Sequence, residues 1–355
     1  MFGSQIALII TFCVVLIFTL LPEKRKIVAG QLPYLKATND SKKQLFPIIL
    51  LWVALIVIAV TRPEEMADYK SYATAFHQTK EGRFEPGFYW IKNLIIWYNG
   101  THIGLLFAFA FISISLKTYC IIKMSDQVWL SFLIWISTSF VIMDMITIRA
   151  SVAAGLMMLS IKYKSDGAFW KMIITLSLGV LFHYSSLILI PIIPFLSKTK
   201  PHRAFYIWII PICYCIQILG LTISRFIPII GITGVQELYA SYIHNNEANL
   251  LNLLTVGKCA IAILLWIKLD NWKERTPYAL LFVKVYTLGC ALFMLLGDLL
   301  IIGFRVAELM GSADIIAYTM LTYLFKKERK IVPIIICGIL FYINITNMSY
   351  WNPHI

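Results

Sequence analysis

Residues 101–121 read THIGLLFAFAFISISLKTYCI, a run in which Lys117 is the only charged side chain. A hydrocarbon core about 30 Å thick is crossed by roughly 20 mostly apolar residues in α-helix, at about 1.5 Å of rise per residue. This stretch has that length and that composition. Comparable runs recur near residues 4–22, 45–61, 127–145, 147–162, 168–182, 184–197, 204–220, 250–267, 277–297, 306–325 and 331–346. The expected fold class is therefore all-α, a polytopic integral membrane protein with about 12 transmembrane or re-entrant helices. Residues 1–355 read as a single multi-span membrane domain, with outer loops near 62–100 and 221–249.

Composition agrees. The 355 residues are 59% hydrophobic and only 14% charged, with a mean hydropathy of +0.78, whereas soluble domains carry roughly 25% charged residues. The longest stretches without a membrane-length apolar run, residues 23–44 and 221–249, are too short to fold as aqueous domains. The net charge of +13 does not indicate a nucleic-acid partner, because the basic residues punctuate the ends of apolar runs instead of forming one patch. With both termini outside, 21 Lys and Arg residues, Lys117 and Lys123 among them, fall on the cytoplasmic side against eight outside. That asymmetry sets the expected orientation. The first apolar run carries Lys24, Arg25 and Lys26 after its core, the reverse of a cleavable signal peptide. Seven cysteines lie within or at the ends of apolar runs with no CxxC pair, which reads as buried thiols, neither metal ligands nor disulfides.

Between 168 and 196 two apolar halves of 15 and 14 residues each reach only about 21 to 23 Å. They predict a short or re-entrant pair whose turn, His183-Tyr184-Ser185-Ser186, sits below the outer surface, a place where irregular backbone survives only inside protein or water. In the first outer loop Thr61, Pro63, Glu64 and Glu65 are helix-start signals. The helix they predict, ending at Gly82, lays Met66, Tyr69, Ala73 and Phe76 on the membrane and puts Asp68 and Tyr72 together on another face. Glu85-Pro86-Gly87-Phe88 opens a second segment, up to Tyr98, whose Tyr89, Trp90, Trp97 and Tyr98 suit a membrane interface.

Arg149 and Arg305 fall near the outer ends of apolar runs, where an unpaired guanidinium is costly, about 2.5 to 3.5 kcal/mol at mid-helix. A purely structural reading pairs Arg149 with Asp144 and Arg305 with Asp298 or Glu308, makes His183 a packing residue, and lets Lys258 and Lys284 snorkel or pair. The functional reading rests on coincidence: Arg62, Asp68, Glu85, Arg149, His183 and Arg305 all map to the outer side. There is no phosphate-cradling GxxxxGK[ST], no HExxH, no GxSxG and no cytoplasmic domain large enough to hold a nucleotide, which disfavours energy from a soluble nucleotide or a nucleotide-sugar donor used directly. An amphiphile with a pyrophosphate and sugars fits best: arginine forks bind phosphate, carboxylates bind hydroxyls, and aromatic rings cover sugar faces.

Arg62 with Asp68-Tyr69 and Tyr72, Glu85-Pro86-Gly87-Phe88, Ile148-Arg149-Ala150, His183-Tyr184-Ser185 and Arg305 resemble the succession in the EpsG-like branch of Wzy-type bacterial polysaccharide polymerases. The resemblance spans about residues 60–310, and Ala150 departs from the Gln expected after the arginine. It implies a metal-independent, GT-C-like glycosyltransferase of the bacterial inner membrane, working at the periplasmic or outer face. Such an enzyme transfers a growing glycan from undecaprenyl pyrophosphate to the next lipid-linked repeat unit, as in O-antigen, capsule or exopolysaccharide synthesis. Arg149 and Arg305 would neutralise the leaving group, His183 or Asp68 would take the acceptor proton, and Arg62, Glu85 and Tyr72 would position substrate. The implied partners are the undecaprenyl-pyrophosphate-linked oligosaccharide, membrane lipid and, as a candidate, a chain-length regulator, with no nucleic acid. The competing reading is a flippase for the same lipid-linked oligosaccharide; a scaffold protein and a membrane acyltransferase are weaker rivals.

Overall fold

A computed structural model describes residues 2–21, 39–78, 84–221, 250–324 and 330–347. The basic segment 22–38, Gly82, the loop 222–249 and Lys326, Lys327 and Arg329 lie outside the described residues. Among those described, the chain is helical with no strand. The main helices are α1 (Phe2–Leu20), α2 (Asn39–Val60), α3 (Tyr69–His77), α4 (Pro86–Trp97), α5 (His102–Met124), α6 (Val128–Thr138) and α7 (Ile148–Ser165). They continue as α8 (Phe169–Phe182), α9 (Arg203–Ile218), α10 (Leu253–Ile267), α11 (Ala279–Leu295), α12 (Leu300–Gly311) and α13 (Ile331–Thr346).

Residues 3–20 of α1 and all of α5 are long and apolar enough to cross a membrane, and α6 with the following Phe140–Ile146 makes a third such span if the bent pair is counted as one. Seven further apolar helices are shorter. Their outward faces are oily: Ile6, Ile10 and Ile17 on α1 and Ile335, Ile339 and Tyr342 on α13 are all exposed. The interior is filled by Trp135, Trp266, Trp272, Tyr286 and Tyr318. Helices apolar both inside and out need lipid as their surrounding solvent.

α7 is the centre of the site-bearing half and packs against α5 and α8. Its Gly155 permits the approach to α5, because a Cβ there would lie 2.8 Å from Leu116 Cβ. The expected short pair after residue 168 is present as α8, a break at His183, and the 3₁₀ and α-helical turns of Tyr184–Phe195. Lys284, fully buried, donates from Nζ to the carbonyls of Ser197 and Lys200, both at 2.6 Å, so it ties α11 to the chain beyond those turns.

Several expectations need correction. The fourth run is not one straight helix: α6 stops at Thr138 and Phe140–Ile146 continues as a π-helical segment bent by 69°. The wider hydrogen bonding, seen in Thr147 N–H donating to Ile142 O, lets the buried Asp144 turn toward α5. There Lys117 Nζ lies 2.8 Å from Asp144 Oδ2, with both side chains fully buried. Ser113 Oγ and Trp135 Nε1 also donate to the carboxylate at 2.9 Å. Lys117 thus belongs inside the bundle, not to the cytoplasmic charge count, and it takes the carboxylate expected to pair with Arg149. The run expected over 306–325 begins earlier, as α12 from Leu300, and then tightens into the turns Asp314–Ala317 and Tyr318–Tyr323. The first outer helix starts at Tyr69, because Asp68 adopts a left-handed φ of 64° and interrupts any helix begun at Pro63. Met66, Tyr69 and Phe76 pack into the protein instead of lying on lipid. Cys13 and Cys215 are exposed, unlike the other five cysteines.

Candidate functional site

The site is assembled around Glu85, which caps the N-terminus of α4 in extended conformation ahead of Pro86, a residue suited to a first helical turn. Two residues on, Gly87 lets this terminus press against the end of α8. A Cβ at Gly87 would meet Leu181 O at 2.8 Å and the Phe182 ring at 2.9 Å. The next residue, His183, leaves the helix in extended conformation and points its ring at the same carboxylate. His183 Nδ1 lies 3.2 Å from Glu85 Oε1, which also accepts from the Tyr184 N–H at 3.3 Å.

The other carboxylate oxygen of Glu85 accepts from Arg149 Nη1, in the first turn of α7. The guanidinium is covered by the Phe84 ring, 4.4 Å from its centroid, and its charge acts on the hydroxyl of the buried Tyr72. Burial pushes the Tyr72 hydroxyl above its usual value, chiefly by desolvation and against the pull of Arg149. A charge-assisted hydrogen bond and an aromatic lid fix the guanidinium in place.

Arg62 approaches Tyr72 as well. Its carbon centre is 5.9 Å from the Tyr69 ring and 6.0 Å from the Tyr72 ring, and its Nη1 donates to the Met145 carbonyl. Burial lowers Arg62 to about 10, so it remains a cation at neutral pH. Its Nε and Nη2, the Nε of Arg149 and the Nε2 of His183 are buried with no hydrogen-bond partner among the described residues. Buried polar atoms are rarely left this way, so these donors and one ring nitrogen are candidates for contact with a bound substrate.

Desolvation, followed by the charges of Arg149 and Arg305, holds the His183 imidazole below its ordinary value, at about 3. At neutral pH the ring is uncharged. With Glu85 accepting at Nδ1, the ring proton sits there and Nε2 is left as an acceptor.

Of the residues singled out from sequence, Glu85, Arg149, His183 and Tyr72 converge, with Arg62 beside them. Arg305 is exposed on α12, which packs against Tyr184–Ile188 and α7. It makes no hydrogen bond or ion pair among the described residues, but its charge acts on His183. Asp68 is exposed at the start of α3; its carbonyl accepts from the Tyr72 N–H at 3.1 Å, and its charge acts on Arg62, Tyr72 and Glu308. Sequence reasoning missed Phe84, whose only signal was an aromatic residue next to Glu85, and the ion pair of Lys117 and Asp144 behind Arg149. An acidic residue alone in a long apolar run was the available clue to that pair. Among the described residues no three His, Cys, Asp or Glu side chains gather as metal ligands.

No curated protein and no solved structure matches the chain. Residues 45–354, most of its length, match the EpsG family.

Proposed function

Because the chain belongs to the EpsG family, membrane proteins of polysaccharide-polymerase type, we propose that it lengthens a glycan carried on undecaprenyl pyrophosphate. The acceptor is the sugar hydroxyl of the next lipid-linked repeat unit. The observation that carries this reading is the convergence of Arg149 and His183 on the two oxygens of Glu85.

Each group has a task in that reaction. The acceptor hydroxyl oxygen bonds to the anomeric carbon of the growing glycan, and the bond from that carbon to the pyrophosphate oxygen breaks, its electron pair leaving with the pyrophosphate. The hydroxyl proton passes to His183 Nε2, while Glu85 keeps the other ring nitrogen protonated and stabilises the imidazolium that forms, the division of labour of a His–carboxylate pair. A positioned base of this kind typically contributes about 10²- to 10⁴-fold.

Arg149 is paired with the buried Glu85, Arg62 stands beside it at Tyr72, and Arg305 reaches His183 through its charge; three guanidinium groups against that one buried carboxylate leave positive charge that suits a diphosphate. Donors fixed before the reaction stabilise developing charge by a few kcal/mol each. Tyr72, between Arg149 and Arg62, positions them and the substrate. Between the two candidate bases, His183 is favoured over Asp68 by its buried Nε2, which has no partner among the described residues.

In this reading the short apolar helices count as crossings or re-entrant segments, about 12 in all, in a GT-C-like arrangement. The site faces the periplasm or cell exterior from the bacterial inner membrane, and no metal takes part. A chain-length regulator is a candidate partner. Deleting the protein from its host tests the assignment: single repeat units at the cell surface support polymerisation, whereas units trapped inside support a flippase. In the deletion strain, Arg305→Ala restores no long chains.

A further inference from the structure

Behind the arginine cluster lies a cavity of about 340 Å³, bounded by the bend after α6 and by α10, α11 and α12. Glu308 lines it one helical turn beyond Arg305, so a single helix carries one face to the arginine site and a neighbouring face to the cavity. The charge of Arg305 is felt by both His183 and Glu308. The volume is near the lower end of the roughly 300 to 1,000 Å³ of small-molecule sites.

The lining is unlike that of a void left by imperfect packing. Lys258, Glu308 and Asp314 all face it, and Lys258 acts electrostatically on both carboxylates without a direct ion pair to either. Ser139, on the bend itself, is more than nine-tenths buried and lines the cavity with a hydroxyl that has no partner among the described residues. Phe293 and Phe304 form an aromatic corner, with ring centroids 5.2 Å apart. Empty cavities are apolar as a rule, whereas three ionisable groups, an orphan hydroxyl and aromatic faces describe a polar guest with hydrophobic ring faces.

We propose that this cavity is a second substrate subsite, holding hydroxyl-rich, uncharged sugar of a lipid-linked unit while the arginine cluster holds a diphosphate. The proposal rests on the polymerase reading and deepens it. Glu308 and Asp314 accept from sugar hydroxyls, Lys258 and Ser139 donate to sugar oxygens, and Phe293 and Phe304 cover a ring face. A transferase joining two lipid-linked glycans needs two places for sugar, and α12 carries Arg305 and the cavity-lining Glu308 one turn apart.

Cys290, a partly buried cavity residue, supplies the test. In full-length protein in lipid nanodiscs with the other six cysteines replaced by serine, a water-soluble thiol reagent reports access to the cavity. Lipid-linked repeat unit extracted from a polymerase-deficient strain is expected to slow labelling, and undecaprenyl pyrophosphate without sugar to leave it unchanged. Glu308→Gln with Asp314→Asn should weaken the protection by about tenfold or more, because each substitution removes a charged acceptor, with protection in each protein measured relative to its own unliganded labelling rate. Equal protection by the sugar-free lipid would give the cavity to the prenyl chain and overturn the proposal, as would a Cys290 that never reacts. Absence of protection by either lipid overturns it too. In that case, Arg305-dependent binding of undecaprenyl pyrophosphate, measured on the same sample, leaves the polymerase reading standing, and loss of that binding removes both.

Discussion

His183 Nδ1 lies 3.2 Å from Glu85 Oε1, although the two residues are 98 positions apart in the chain. The pairing fixes which ring nitrogen is left to act as a base, while the second oxygen of the same carboxylate holds Arg149. Glu85 is therefore the positioning residue through which base and anion-binding group are aligned.

Glu85→Gln removes the charge but not the shape. An amide can donate to His183 and so favours the wrong tautomer, and it no longer neutralises Arg149. Polymer formation in isolated membranes is expected to fall by about 10²-fold or more, with protein abundance unchanged. Glu85→Asp should recover part of the loss. Full activity in the Gln variant would show that the carboxylate only ties helices together.

Gly87→Ala tests the close approach that creates the pair. The added methyl meets the Leu181 carbonyl and the Phe182 ring at under 3 Å, so α4 must move away from α8 and take Glu85 with it. The expected result is lost activity with little change in expression. At Gly257, where a Cβ meets nothing within 4 Å, the same substitution should be silent.

The depressed His183 value sets two pH dependences. A base with a value of about 3 stays unprotonated through the ordinary histidine range near 6.5, so activity should persist below pH 6 and decline only at more acid values. Stability carries the opposite sign to that of a salt-bridged histidine. The unfolded chain takes up a proton near 6.5 and the folded one does not, so His183 lowers stability progressively as pH falls from 6.5 toward 3. Thermal unfolding in detergent should show that loss in the native protein and less of it in His183→Gln. An activity limb centred at 6.5 would contradict the buried, neutral imidazole.

Lys117→Met leaves the Asp144 carboxylate buried without its cation, at an expected cost of about 3 to 5 kcal/mol. Adding Asp144→Leu should restore part of the thermal stability, because no buried charge is then left, while the Ser113 and Trp135 donors lose their acceptor. Equal stability of the single variant and the native protein would show that water reaches Asp144.

The membrane fold was legible because apolar runs of helical length need only local counting, and α13 begins and ends where its run does. The His183 break was legible for the same reason, two halves too short to span. What local reading could not supply was partnership. Lys117 looked like a helix-end charge until the π-helical turn at 140–146 brought Asp144 across to it. Arg149 then found its acid in Glu85, 64 residues away, an encounter that depends on the contact at Gly87. Tyr72 was read beside Asp68 on one face, but the left-handed backbone at Asp68 leaves the acid at the surface and Tyr72 buried against arginine. Charge pattern indicates which side of a membrane a residue occupies; packing decides which neighbour it meets.

The most direct measurement is turnover by purified protein in nanodiscs supplied only with undecaprenyl-pyrophosphate-linked repeat unit. The account predicts one undecaprenyl pyrophosphate released for every glycosidic bond formed, without added nucleotide, and a rate lowered by about 10²-fold or more in His183→Ala. Release of no undecaprenyl pyrophosphate by the native protein, or the same rate from the alanine variant, would contradict it.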